Sequence, residues 1–85
     1  MDLQELRTEI DKIDQQLIQL IEQRMDISKK VAEYKKQHNL PIHDPVREQE
    51  ILEKLSAKAG TDNKENIKEL YIKLFELSRA VQEKL

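Results

Sequence analysis

The feature that most constrains this chain is an apolar seam running without a slip from Leu3 to Tyr34. Leu3, Leu6, Ile10, Ile13, Leu17, Leu20, Arg24, Ile27, Val31 and Tyr34 follow one another at alternating spacings of 3 and 4. That rhythm repeats one helix face over more than four heptads, and Ile18 and Ile21 widen it. No proline or glycine interrupts it before Asn39, so the spacing predicts a first helix over about 2–38. At about 1.5 Å per residue such a helix is about 55 Å long. Asp2 and Glu5 suit its N-terminus, and Lys35 and Lys36 its C-terminus.

Leu40-Pro41-Ile42-His43-Asp44-Pro45 reads as a turn, with Asp44 as N-cap and Pro45 as first residue of a second helix over about 45–59. Val46, Ile51, Leu52 and Leu55 are expected on one side of it, and Gly60 suits the position just past its end. Asp62 followed by Glu65 resembles a capping box for a third helix over about 63–84. Ile67, Leu70, Leu74, Leu77 and Val81 form its expected main seam, with Tyr71, Phe75, Ser78, Gln82 and Leu85 as a second stripe. At about 23 Å and about 33 Å, neither short helix covers the long seam alone. A homodimer in which the long helices pair, and each chain's short helices cover the other's seam, is the economical solution.

Composition points the same way. The 85 residues allow one domain, spanning 1–85. Only three aromatic residues and one glycine argue against a β-sandwich or barrel, so the fold class is all-α. A chain this short buries only about 60% of its unfolded surface and needs help from disulfides, metal or oligomerisation. There is no cysteine, and His38 and His43 lie far from any carboxylate cluster, so no metal is expected and oligomerisation remains. The net charge of −2 argues against nucleic acid as a partner. No apolar run approaches the roughly 20 residues of a membrane span and no signal-peptide pattern opens the chain, so no membrane partner and a cytoplasmic location are expected.

Several polar residues fit a purely structural role poorly. Arg24 occupies an a position of the seam, either setting register or facing a cavity that admits an anion. Lys35 lies eleven residues on, three turns along nearly the same face, and taken singly reads as a solvated flank residue. Arg7 flanks the seam 17 residues before Arg24, about 25 Å away within one helix. It can reach Arg24 only from an antiparallel partner; otherwise it is a solvated flank residue. Arg47, beside Glu48 in the first turn of the second helix, opposes the helix dipole at a mild cost unless it faces an anion, and reads either as an exposed arginine or as part of a site. Ser78 and Gln82, four apart, point one way from the third helix, as a surface stripe or as part of a site. There is no cysteine nucleophile and no glycine-rich phosphate loop. The inventory suits electrostatic stabilisation of a small dianion rather than covalent or proton-transfer chemistry.

In order along the chain stand Leu6-Arg7-x-x-Ile10-Asp11-x-Ile13-Asp14, Ile21-x-x-Arg24-Met25, Tyr34-Lys35, Pro41-Ile42-x-Asp44-Pro45-x-Arg47-Glu48 and Leu74-Phe75-x-x-Ser78-Arg79-x-x-Gln82. Together they resemble the all-helical class of chorismate mutases over nearly the whole chain. The resemblance implies an intertwined homodimeric bundle of three helices per chain. It also implies a Claisen rearrangement of chorismate to prephenate, without cofactor, serving phenylalanine and tyrosine biosynthesis. It assigns the substrate's two carboxylates to Arg24 and to Arg7 of the partner subunit, with Arg47 assisting and Ser78 touching a carboxylate. Lys35 and Gln82 would donate hydrogen bonds to the ether oxygen. Glu48 and the backbone near Asp44 would bind the ring hydroxyl.

Two other readings predict different behaviour. An isochorismate-pyruvate lyase of the same fold would act on isochorismate alone, although Glu48 with Ser78 favours the mutase. A non-catalytic homodimeric scaffold would gain thermal stability on Arg24→Leu without losing a function. A mutase segment of a longer fused enzyme is compatible with the same residues.

Overall fold

In a computed structural model that describes residues 1–84, the chain forms three α-helices: α1 (Leu3–Gln37), α2 (Pro45–Lys58) and α3 (Lys64–Glu83). Leu85, expected in the second stripe of α3, lies outside the described residues. The Asp2 carboxylate caps α1 by accepting the Glu5 N–H at 2.8 Å. At the other end, the Leu40 N–H reaches the Lys35 carbonyl (2.8 Å) and the Asn39 N–H that of Lys36 (3.3 Å). This is a Schellman closure, with Asn39 in the left-handed region at φ 54°, a conformation asparagine tolerates better than most residues. Asp44 caps α2 through the Arg47 N–H at 3.1 Å, and Pro45 opens the helix.

Gly60 stands just past the end of α2 as expected, although without a left-handed turn, because the helix stops in extended backbone at Ala59 (φ −72°, ψ 149°). One local expectation is corrected. Asp62 is not the cap of α3. A turn over 61–63, closed by the Asn63 N–H on the Gly60 carbonyl at 3.0 Å, makes Asn63 the cap residue. Asn63 lies in the helical region (φ −104°, ψ −5°), where its side chain makes no capping bond.

The third helix packs on both α1 and α2. Under it, α1 contributes Ser28 and Ala32, one turn apart and both buried; their small side chains let the two helices approach closely. From α3 the buried residues are Phe75, Ser78 and Gln82, so the stripe expected to be secondary is the one that packs inward. Leu70 and Leu77, expected in the main seam, are exposed. Val46 is 68% exposed rather than packed with Ile51, Leu52 and Leu55, since five residues before Ile51 it lies on the opposite side of α2.

The long heptad seam stays open within the chain. Every residue from Met1 to Gln23 is exposed, and so are Ile27, Val31 and Tyr34 farther along. The chain measures 54 Å in its longest dimension. Its radius of gyration is 15.9 Å, where a compact chain of this length has about 12 Å. It exposes 6986 Å², against about 5,300 Å² for a compact monomer of its mass. No helix among the described residues is long and apolar enough to cross a membrane.

Candidate active site

A cavity of about 320 Å³ opens where the C-terminal half of α1, the α1–α2 turn, the start of α2 and the end of α3 converge. Arg24, Lys35, Asp44, Arg47, Glu48, Ser78 and Gln82 all line it. Ile27, Val31, Ile42, Ile51 and Phe75 supply apolar wall. Of the residues singled out in the sequence, only Arg7 lies elsewhere, on the exposed N-terminal half of α1.

Each polar side chain is held by a specific contact. Arg24 Nη1 donates to Ser78 Oγ at 2.7 Å. Its guanidinium lies 6.0 Å from the Tyr71 ring centre and 5.7 Å from that of Phe75, within range of a cation–π attraction. The Ser78 hydroxyl faces Met25 Sδ at 4.0 Å, so it can accept from Arg24 while its own proton goes to sulfur. Lys35 Nζ donates to the Ile42 carbonyl at 2.9 Å, which fixes the ammonium at the turn and leaves two of its three donors. Gln82 Nε2 donates to the Ser28 carbonyl at 3.2 Å, in buried surroundings. That bond uses one amide hydrogen and orients the group, and a second N–H remains.

The α2 side is arranged differently. The Asp44 carboxylate is engaged as the helix cap. Arg47 is mostly exposed and reaches Glu50 at 3.7 Å, a surface pair that restrains it little. Glu48 is clamped from α3: Arg79 Nη1 sits between both carboxylate oxygens, at 2.6 and 2.5 Å. The hydrogen bond to Glu48 raises the Arg79 pKa above its ordinary value, although burial acts in the opposite direction. His43 Nε2 approaches the same carboxylate to 3.8 Å.

Arg79 and Ser28 are cavity residues to which sequence reasoning gave no role. Arg79 stands within the third-helix motif, but spacing alone assigns it no role, because its partner Glu48 is 31 residues away. Ser28 acts through its backbone carbonyl, which side-chain patterning cannot reveal.

The lining carries four cations (Arg24, Lys35, Arg47, Arg79) and two carboxylates (Asp44, Glu48), a formal charge of +2. Among the described residues, neither Arg24 nor Lys35 has a carboxylate partner within 4.0 Å. Two unpaired cations beside preorganised neutral donors in a half-apolar cavity form a receptor for a small dianion. They can also stabilise negative charge that develops between them.

Comparison with known proteins gives a consistent result. The family model for chorismate mutase type II matches residues 6–83. A chorismate mutase of Methanocaldococcus jannaschii is 40% identical over 83 residues, covering 94% of this chain and 83% of that protein. A bifunctional chorismate mutase/prephenate dehydratase of Aquifex aeolicus is 48% identical over 54 residues, 64% of this chain but only 15% of the larger protein. Among solved structures, a chorismate mutase from Helicobacter pylori in complex with prephenate superposes with a TM-score of 0.87 at 40% identity, covering 96% of this chain and 90% of that one.

Proposed function

The chain belongs to the chorismate mutase type II family, and from that premise we infer that its cavity converts chorismate to prephenate. The reaction is an isomerisation. The ether C–O bond breaks as a C–C bond forms between the enolpyruvyl arm and the ring, and no atom enters or leaves. It calls for no cofactor. The observation that carries the reading is the +2 cavity in which, among the described residues, Arg24 and Lys35 have no carboxylate partner, matched to a substrate bearing two carboxylates.

Arg24 binds one carboxylate, assisted by Ser78, whose hydroxyl it already holds. Arg47 assists at the rim. Clamping both carboxylates selects the compact conformer in which the reacting carbons meet. Lys35 and Gln82 donate to the ether oxygen, which gains negative charge as its bond to the ring lengthens. Because that charge is largest in the transition state, these two donors act on the rate more than on binding. Glu48 accepts from the ring hydroxyl, beside the backbone of Asp44.

The second carboxylate goes to Arg7 of the partner subunit in an intertwined homodimer. The open seam supports this arrangement. The chain's excess of about 1,700 Å² over a compact monomer, doubled, is about 3,400 Å², within the range of obligate homodimer interfaces. We assign the reaction to the cytoplasm and to phenylalanine and tyrosine biosynthesis.

The test is to follow chorismate absorbance in the ultraviolet with purified protein and identify the product by proton NMR. Conversion to prephenate is expected. No reaction, in a sample that sedimentation shows to be a helical dimer, would refute the proposal, as would turnover of isochorismate alone.

A further inference from the structure

We propose that Arg79 is a positioning residue that makes the cavity discriminate a neutral ring hydroxyl from a cationic group at the same place on the substrate. The proposal rests on Glu48 being the acceptor for that ring substituent. A carboxylate alone is a poor discriminator, because it accepts from a hydroxyl and attracts an ammonium still more strongly. In this chain Glu48 is not alone. Arg79 Nη1 lies within 2.6 Å of both of its oxygens, and the two side chains are only 27% and 24% exposed. The pair is therefore partly shielded from solvent, where charges act on one another more strongly than at an open surface.

Two consequences follow from that geometry. A single nitrogen straddling both oxygens fixes the plane of the carboxylate while leaving outward lone pairs to accept from a ligand. The positive charge next to the acceptor also cancels its field over the distance of a substrate ring, so that a neutral donor is bound and a cation gains little. His43, 3.8 Å from the same carboxylate, adds to this bias whenever it is protonated. The other charged groups of the lining, Arg24, Lys35 and Arg47, repel a cationic substituent as well. Asp44 is occupied as the cap of α2. Glu48 is therefore the attachment point for a cation, and Arg79 neutralises it.

Arg79 also joins α3 to α2, so a purely structural role must be separated from the proposed one. Substrate selectivity does this, because loosened packing lowers the activity on both substrates together. The experiment compares kcat/KM for chorismate and for its analogue carrying an ammonium in place of the ring hydroxyl, in wild type, Arg79→Met, Arg79→Gln and Arg79→Lys. The analogue-to-chorismate ratio is expected to rise at least tenfold in Arg79→Met and Arg79→Gln, and to return to within about threefold of wild type in Arg79→Lys. If either neutral variant loses its helical circular dichroism, the other carries the comparison. An unchanged ratio in the folded neutral variants would overturn the proposal and leave the ion pair with only a structural role. A Glu48→Ala control, which removes both acceptor oxygens, separates the underlying reading. If it keeps full kcat/KM on chorismate, the assignment of Glu48 itself fails, whatever the Arg79 variants do.

Discussion

Gln82→Glu exchanges one buried donor for a group that donates only when protonated, and the structure sets what this should cost. Gln82 has two amide hydrogens: one is committed to the Ser28 carbonyl at 3.2 Å, and the other is available to the ether oxygen. A protonated glutamate has one hydrogen to divide between the same two acceptors. Even at low pH the variant therefore lacks one hydrogen bond, about 1 kcal/mol, so its kcat should plateau within about tenfold of wild type. An ionised glutamate donates nothing and turns an oxygen toward a carbonyl inside the protein. With the substrate dianion bound, the positive charge of the cavity is neutralised. Burial and the facing carbonyl then dominate and raise the new carboxyl above the usual value of about 4.3. Above that raised pKa the donating fraction falls tenfold per pH unit. The log kcat of the variant should therefore decline with a slope near −1 through weakly acidic pH. The fall should continue until the loss approaches the two to three decades expected when a preorganised transition-state donor is removed. Wild type should stay flat over the same range. The assay is kcat from chorismate absorbance between pH 4.5 and 8, since kcat reports groups in the bound complex. A variant profile as flat as that of wild type, or a steep acidic limb in wild type itself, would refute the donor role of Gln82.

Lys35→Ala should reduce kcat by two to three decades with helicity retained, and a variant keeping more than a tenth of wild-type turnover would sink the assignment of Lys35. Ile13→Asp charges the open seam at a residue 55% exposed in the single chain, and it should abolish the proposed dimer in sedimentation together with activity. An active monomer would refute the completion of the site by Arg7 of the partner subunit. Ala32→Leu overfills the contact where Ala32 is 0% exposed beneath α3, at a cost of about 1–3 kcal/mol. The melting temperature should drop by about 4–8 °C for each kcal/mol, and an unchanged melting curve would contradict that packing.

The sequence disclosed most of the architecture because the strongest signals were local. The 3-and-4 rhythm, Asn39 ahead of Pro41, and Asp44-Pro45 each act within one or two turns of backbone, and α1 starts and stops, and α2 starts, beside them. The start of α3 falls within a residue of its expected place, but its cap is Asn63 rather than Asp62, because a turn bonded back to Gly60 leaves Asp62 outside the helix, a geometry that residue types alone do not specify. The inward face of α3 was misread for another reason. Apolar periodicity says that a stripe wants cover, not which surface covers it, and the stripe with Leu70 and Leu77 looked more core-like than the one carrying Ser78 and Gln82. Seven of the eight singled-out residues line one cavity, although only Arg24 stands out as a polar residue within the apolar seam. Arg79, although part of the third-helix motif, carries no legible role in the sequence because its partner Glu48 lies 31 residues away.

The charge of the cavity has a consequence for how substrate arrives. The whole chain carries −2 and the cavity lining +2, so the remaining surface carries −4. A dianion approaching this protein meets a net negative surface outside the cavity and a net positive one at it. The landscape acts as a funnel in solution before any contact is made. Dissolved salt flattens such a funnel once the screening length, about 10 Å at 0.1 M, falls below the width of the protein. Added sodium chloride should accordingly slow capture, lowering kcat/KM, while the rearrangement of substrate already enclosed proceeds at its former pace.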